Sequence, residues 1–261
     1  LRSLAEAMAA ATATAGARPV VTVPLNGIPA GCTRMEPTML TLLSLDPAEI
    51  DQVVATVAGG AANVQDIYPL LPWQEGMLYD HLSLQPGQRD PYLARGILEF
   101  ADRDRLEQFV TALQLVIDRH DALRTAIVWD GVEIPVQVVY RQAHLPQVTN
   151  EVLTFDLARA PLIATRILPP STHRKWRLEL MIHHIIVDQI SDMIVMDEVA
   201  RIMQGQQASL PSAPPMREFV GRALARTPID AQRFFATMFE GVREPTHPFG
   251  LTDPRADTQR L

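Results

Sequence analysis

The sequence predicts a mixed α/β fold, an open mixed sheet with helices packed against it, and three observations carry that prediction. Residues 103–119 place Leu106, Phe109, Val110, Leu113, Val116 and Ile117 at helical spacing, the stripe of a helix with one buried face. Two pairs of short apolar, β-branched runs flank turn residues, as antiparallel hairpins do. Hairpins also alternate with helical segments that can cross from one strand to another.

The elements follow in order. Residues 1–10 read as a short helix with Leu1, Leu4 and Met8 on one face. From Ala11 to about Pro37 the composition turns to Ala, Thr, Gly and Pro without a sustained period, which predicts a linker or an extended strap over a surface. Order begins at Ser44. Asp46 can cap a helix, Pro47 suits its first position and Glu49 supports its first turn. That helix carries Ile50, Val53, Val54 and Val57 as one stripe and stops at Gly59–Gly60. A second helix starts at Pro72 with Trp73, Met77 and Leu78 as anchors, and Tyr92–Phe100 reads as a strand. TAIVW (125–129), an Asp130–Gly131 turn and PVQVVY (135–140) predict a hairpin with an irregular return over Val132–Pro135. Leu162–Leu168 and Trp176–Ile182 predict a second strand pair around Pro169–Pro170, and helices follow over Ser191–Met203 and Asp230–Gly241.

Composition bounds the function. With 261 residues, 47% of them hydrophobic and 20% charged, the chain makes one large domain or two modest ones, and bulk disorder is excluded. A formal charge of −7 gives no electrostatic footprint for nucleic acid. No apolar stretch approaches a membrane span, and no charged segment precedes a hydrophobic one as in a secretion signal. Cys32 is the single cysteine, so a disulfide framework is impossible and a reducing, cytoplasmic setting is expected. The chain reads as a piece of something longer.

The stretch most informative about chemistry is WRLELMIHHIIVDQIS (176–191). Strand alternation sets His183 and His184 on opposite faces, so the two cannot share a metal. No further cluster at ligand spacing completes one, and no metal is expected. His184 stands four residues before Asp188, at the end of a strand and before a helix. Imidazole titrates near neutral pH and can act there as a base. A purely structural pair, one His buried and one solvated, explains the same residues. Arg119 and Arg124 of RHDALRT (119–125) are either charges at a helix C-terminus or, for one of them, a partner of Asp188. Ser191 reads as a helix cap. Cys32 has no base nearby in sequence, and Gly59–Gly60 lacks a phosphate-loop pattern.

Taken together, the segments resemble the condensation domain of nonribosomal peptide synthetases. IHHIIVDQIS (182–191) is similar to the family's HHxxxDG signature, DIYPLLPWQEGML (66–78) to its opening motif and RHDALRT (119–125) to the next. FDLARAPL (155–162), MREFV (216–220) and EPTHPFGL (244–251) follow in order. The resemblance implies a chloramphenicol-acetyltransferase-like lobe, the N-terminal half of a two-lobed V. Residues 1–10 would then be the tail of an upstream carrier domain, 11–43 the linker, 44–241 the lobe and 242–261 the start of a crossover to the second lobe.

It further implies amide-bond formation between a donor thioester and an acceptor aminoacyl thioester. Both would be tethered to phosphopantetheine on upstream and downstream peptidyl carrier domains, beside an adenylation domain, with no cofactor bound directly. His184 is implied to position or deprotonate the acceptor amine, His183 to be structural, and Asp188 to hold the loop through Arg124 in preference to Arg119. The signature's Gly is Gln189 here, at the implied acceptor entrance. The dual condensation/epimerization subtype carries a further HHI/LxxxxGD motif, and DHLSLQPGQRD (80–90) is its degraded counterpart. Asp80 replaces the first His, His81 remains and Gln88 follows Gly87; with the linker and PFGL segments also similar to that subtype, the resemblance implies dual-type ancestry and leaves epimerization of the donor open. A non-catalytic relative that recruits carriers or tailoring enzymes, and a coenzyme A-dependent acyltransferase of the same superfamily, are the competing readings.

Overall fold

The computed structural model describes residues 21–170, 175–225 and 228–244. The chain divides into two compact units, Leu1–Ala223 and Leu224–Leu261. The helix expected over 1–10 lies outside the described residues, as does nearly all of the crossover expected over 242–261. Among the described residues no helix is long and apolar enough to cross a membrane.

In the first unit the mixed α and β architecture is present, with strands gathered into two three-stranded antiparallel sheets instead of one open mixed sheet. Strand β1 (Val64–Pro69) is not among the elements expected from the sequence. It pairs with β4 (Val136–Tyr140), which also pairs with β3 (Thr125–Val128) in the predicted hairpin. The second sheet has β6 (Trp176–His183) at its centre, between β2 (Leu93–Phe100) and β5 (Ile163–Leu168). Strand β2 therefore bypasses the 125–140 hairpin and pairs with β6, with Leu93 opposite His183. This separates the sheets.

The helices pack where their apolar stripes dictate. Helix α1 (Pro47–Thr56) opens with a capping box. Asp46 accepts the Glu49 amide at 2.9 Å and Glu49 accepts the Asp46 amide at 2.8 Å, which satisfies two donors that a helix start leaves orphaned. In α2 (Pro72–Leu82) Leu78 is buried, but the expected anchor Trp73 is 43% exposed. Helix α3 (Arg103–Arg119) buries its stripe with the second sheet and α4 (Gln189–Met203), so that Leu113, Val116, Ile117, Leu178, Ile182 and Val199 share one core. A short helix, α5 (Met216–Leu224), is a further element without a sequence expectation. In the second unit, α6 (Pro228–Met238) starts two residues earlier than expected and exposes Phe234, Phe235 and Met238.

The described part of the expected linker is a strap built into the first unit. Ile28, Cys32, Met35 and Leu40 are buried in a second core with Ile50 and Val53 of α1 and Ile67, Ala126 and Val138 of the first sheet. Cys32 is thus a packed core residue. Arg141 donates to the carbonyls of Ile28 and Pro29, while Arg217 donates to those of Pro24 and Leu25 and to the Thr41 hydroxyl. Arg217 Nη1 also lies 2.9 and 2.7 Å from the two carboxylate oxygens of Asp66. Burial pushes the Asp66 carboxyl up, and the neighbouring guanidinium offsets only part of that rise.

Candidate active site

Strand β6 delivers His183 into the interior, and the chain then leaves the sheet through residues 184–188 into α4. His183 is fully buried. Its Nδ1 accepts the Ile185 amide at 3.1 Å, so the ring's proton resides on Nε2. That N–H faces Asp90 Oδ2 at 3.2 Å.

His184 is held the other way round. Its amide donates to the Tyr92 carbonyl at 2.9 Å, and its ring Nδ1–H donates to the Val187 carbonyl at 3.3 Å. The Nε2 lone pair of this half-buried ring has no bonded partner among the described residues. A neutral imidazole fixed this way can accept an N–H hydrogen bond or a proton at Nε2.

The remnant motif of residues 80–90 lies against the same strand end. Tyr92 donates its hydroxyl to Asp80 at 2.8 Å. His81 Nδ1 lies 2.6 Å from Asp90 Oδ2, and Asp90 Oδ1 accepts the Tyr92 amide at 2.9 Å. Burial alone would raise the Asp90 carboxyl, but hydrogen bonds from His183, His81 and the Tyr92 amide outweigh it and hold the group well below the usual carboxylate range. His81, Asp90 and His183 bring three potential ligand atoms within 4.8 Å of one another. A metal there would need the His183 Nε2 lone pair, whereas the Ile185 amide occupies Nδ1 and leaves Nε2 as a donor. The cluster fits a hydrogen-bonded carboxylate better than a cation.

The expected Asp188–Arg124 pair is not formed. Asp188 is exposed at the N-cap of α4 and accepts the Ser191 amide at 2.7 Å. Hydrogen bonds from Ser191 hold its carboxyl below the ordinary value. The helix starts two residues before Ser191, so Asp188 takes the capping role expected of that serine. Arg124 turns instead into the first sheet. It pairs with Asp121 at 2.9 Å and donates to Gln65 and to the carbonyls of Ile117 and Tyr140. An aspartate three residues away satisfies its charge before Asp188 can. Arg119 is paired with Glu198 at 3.0 Å, beside His120 at 2.9 Å from the same carboxylate. Gln189 is the exposed first residue of α4.

Two residues at the site carry roles that the sequence reading does not assign. Gln74 of α2 is buried and donates to the Ile185 carbonyl at 3.0 Å and to Gln137 at 2.8 Å, tying the turn after His184 to the first sheet. Its position three residues after Leu71, whose amide it accepts, is the capping-box spacing and is a readable signal. Asp90 precedes Pro91 and accepts an amide two residues on, the signature of an Asx turn. Its ring partner His183 lies 93 residues away, beyond any local pattern. Two cavities border residues 185–191. One of about 250 Å³ is lined by Trp73, Gln74, Asp188, Met216 and Phe219, and an apolar one of about 740 Å³ by Leu123, Ile190, Ile194 and Pro211.

Residues 64–241 match the sequence model of the condensation domain. Over 252 residues the chain is 36% identical to malpibaldin synthetase of Mortierella alpina, covering 88% of this chain and 4% of that protein. Malpinin synthetase of the same organism is 35% identical over 263 residues, covering 93% of this chain and 3% of that protein. The chain thus spans a small fraction of the curated relatives it matches. Among solved structures, the condensation domain from Monacolin K polyketide synthase MokA superposes with a TM-score of 0.52 at 16% identity, covering 74% of this chain and 49% of that one. That likeness establishes the fold.

Proposed function

The chain belongs to the condensation domain family, and we propose that it serves a nonribosomal peptide synthetase as the N-terminal lobe of a domain that forms amide bonds. The donor acyl or aminoacyl group and the acceptor aminoacyl group arrive as thioesters on phosphopantetheine arms of an upstream and a downstream peptidyl carrier domain, next to an adenylation domain. The observation that carries this reading is His184, whose Nδ1–H is spent on the Val187 carbonyl while Nε2 is left to meet an N–H.

In the reaction, the acceptor amine attacks the donor thioester carbonyl carbon. The new C–N bond forms, the C–S bond breaks, and the amine proton passes to the departing thiolate. His184 Nε2 accepts the amine N–H hydrogen bond, orients the nitrogen lone pair and relays the proton. An α-amine titrates near 7.7–8.0, so little basicity is required and orientation carries most of the effect.

Asp188 contributes by capping α4, and Arg124 by bracing the first sheet. Epimerization of the donor is not part of the proposed activity. In support, Asp80 and His81, where the dual subtype has its histidine pair, are engaged by Tyr92 and Asp90. The test uses the complete synthetase module with both carriers loaded, the donor as its L-aminoacyl form, followed by intact mass of the acceptor carrier and chiral analysis of the released peptide. A condensed product with an L-configured donor residue is expected. No product from the L-donor or from a separately loaded D-aminoacyl donor, with loading verified, would favour the non-catalytic recruiting role, and a D-configured residue from the L-donor would restore epimerization.

A further inference from the structure

We propose that Asp90, together with His81, is a positioning device for His184, an inference that rests on the assignment of His184 to the condensation step. The Asp90 and His183 side chains are completely shielded, at 0% exposure, and His81 nearly so, at 12%. A buried carboxylate persists only with its lone pairs filled. Here Oδ2 takes His81 and His183, and Oδ1 takes the Tyr92 amide.

Two of those bonds lead toward His184. With Nε2–H committed to Asp90, the His183 ring presents an unprotonated Nδ1 to the Ile185 amide, which fixes the chain on the far side of His184. The Asx turn at Asp90 sets Tyr92, whose carbonyl takes the His184 amide. The two backbone anchors that flank the His184 ring therefore both trace to one carboxylate. His81 closes the arrangement from α2, and its ring also meets His183 edge-on at 6.1 Å between centroids. A residue set aside as the remnant of another motif thereby acquires a role in this one. Asp90 touches no reacting atom. It acts through the tautomer and placement it imposes.

Replacing Asp90 by Asn keeps the shape and one acceptor but sets an amide N–H either against the two ring N–H donors or, flipped, against the Tyr92 amide. In the complete module, Asp90→Asn is expected to lower turnover at saturating acceptor by about tenfold or more while the acceptor KM stays within about twofold. Combined with His184→Ala, it is expected to add no more than about twofold to the loss from His184→Ala alone, because residues acting as one unit are non-additive. Equal losses in both backgrounds, or wild-type turnover for Asp90→Asn, would overturn the proposal while leaving the His184 assignment in place. Wild-type turnover for His184→Ala would instead overturn that assignment, and the positioning role with it. Should Asp90→Asn fail to fold, the better-exposed partner decides. His81→Ala is expected to lose several-fold, and His81→Asn, whose amide can place a donor near the imidazole Nδ1, to recover most of it. Equal activity of these two variants would overturn the proposal.

Discussion

At the scale of single residues, two carboxylates of similar appearance in the sequence do different work. Asp188, inside the signature, is a solvent-facing helix cap, and Asp90, outside it, is the buried carboxylate shared by His81 and His183. Asp188→Asn should therefore leave folding stability within about 0.5 kcal/mol, because Asn caps as well as Asp, and Asp188→Ala should cost about 1 kcal/mol. Denaturant melts decide it; an ion-pair role would make the Asn variant as damaging as the Ala variant. The pH sign follows from the same bonds. Asp90 and Asp188 are both held below their ordinary values, so each contributes stability that is full above the unfolded value near 3.9 and lost as pH falls through the lower folded value. Acid titration of stability should show this loss below about pH 4, and it should be shallower in Asp90→Asn. The His183–His184 divergence is legible because adjacent residues on a strand must point apart. The expected Asp188–Arg124 pairing fails because Asp121 stands three residues from Arg124 and the Ser191 amide three residues from Asp188, and local partners win.

Secondary structure is readable wherever the period is regular. Helix α3 spans 103–119 as its stripe and its flanking Asp102 require, and that aspartate accepts the Arg105 amide at 2.8 Å. Leu113 sits in the centre of the stripe at 1% exposure, so Leu113→Ala should cost about 2–5 kcal/mol, measured as a shift in the urea midpoint at unchanged slope. A cost below about 1 kcal/mol would mean that the core relaxes around the cavity or that α3 is not its keystone. Strand β1 escapes a sequence reading for the opposite reason. Its VQDIYP run places Asp66 among apolar neighbours and ends at Pro69, which breaks the alternation expected of a half-buried strand. Asp66 is tolerated inside only because Arg217, 151 residues away, reaches it. No local pattern encodes that partner.

For the whole molecule, the α/β class and the family follow from segments kept in order along the chain, whereas the partition into two sheets depends on β2 choosing β6 over the nearer hairpin. The strap over residues 21–43 is likewise a long-range product, sewn down by Arg217 and Arg141. Arg217→Ala strands Asp66 in the interior and should destabilise by about 3–5 kcal/mol, the usual result of removing one member of a buried pair. Limited proteolysis should then open new cuts within 21–43, and protection equal to wild type would show that apolar packing alone secures the strap. The same long-range logic brings His81 of α2, Asp90 and the end of β6 together beside His184. The most direct test of that assembly compares wild type and His184→Ala in the complete module with both carriers loaded, reading the acceptor carrier by intact mass through the first turnover. The expected result is condensed product in wild type and a loss of about 10²-fold or more in the variant, the range for a positioned acid–base group. Condensation at the wild-type rate in His184→Ala would contradict the account at its centre.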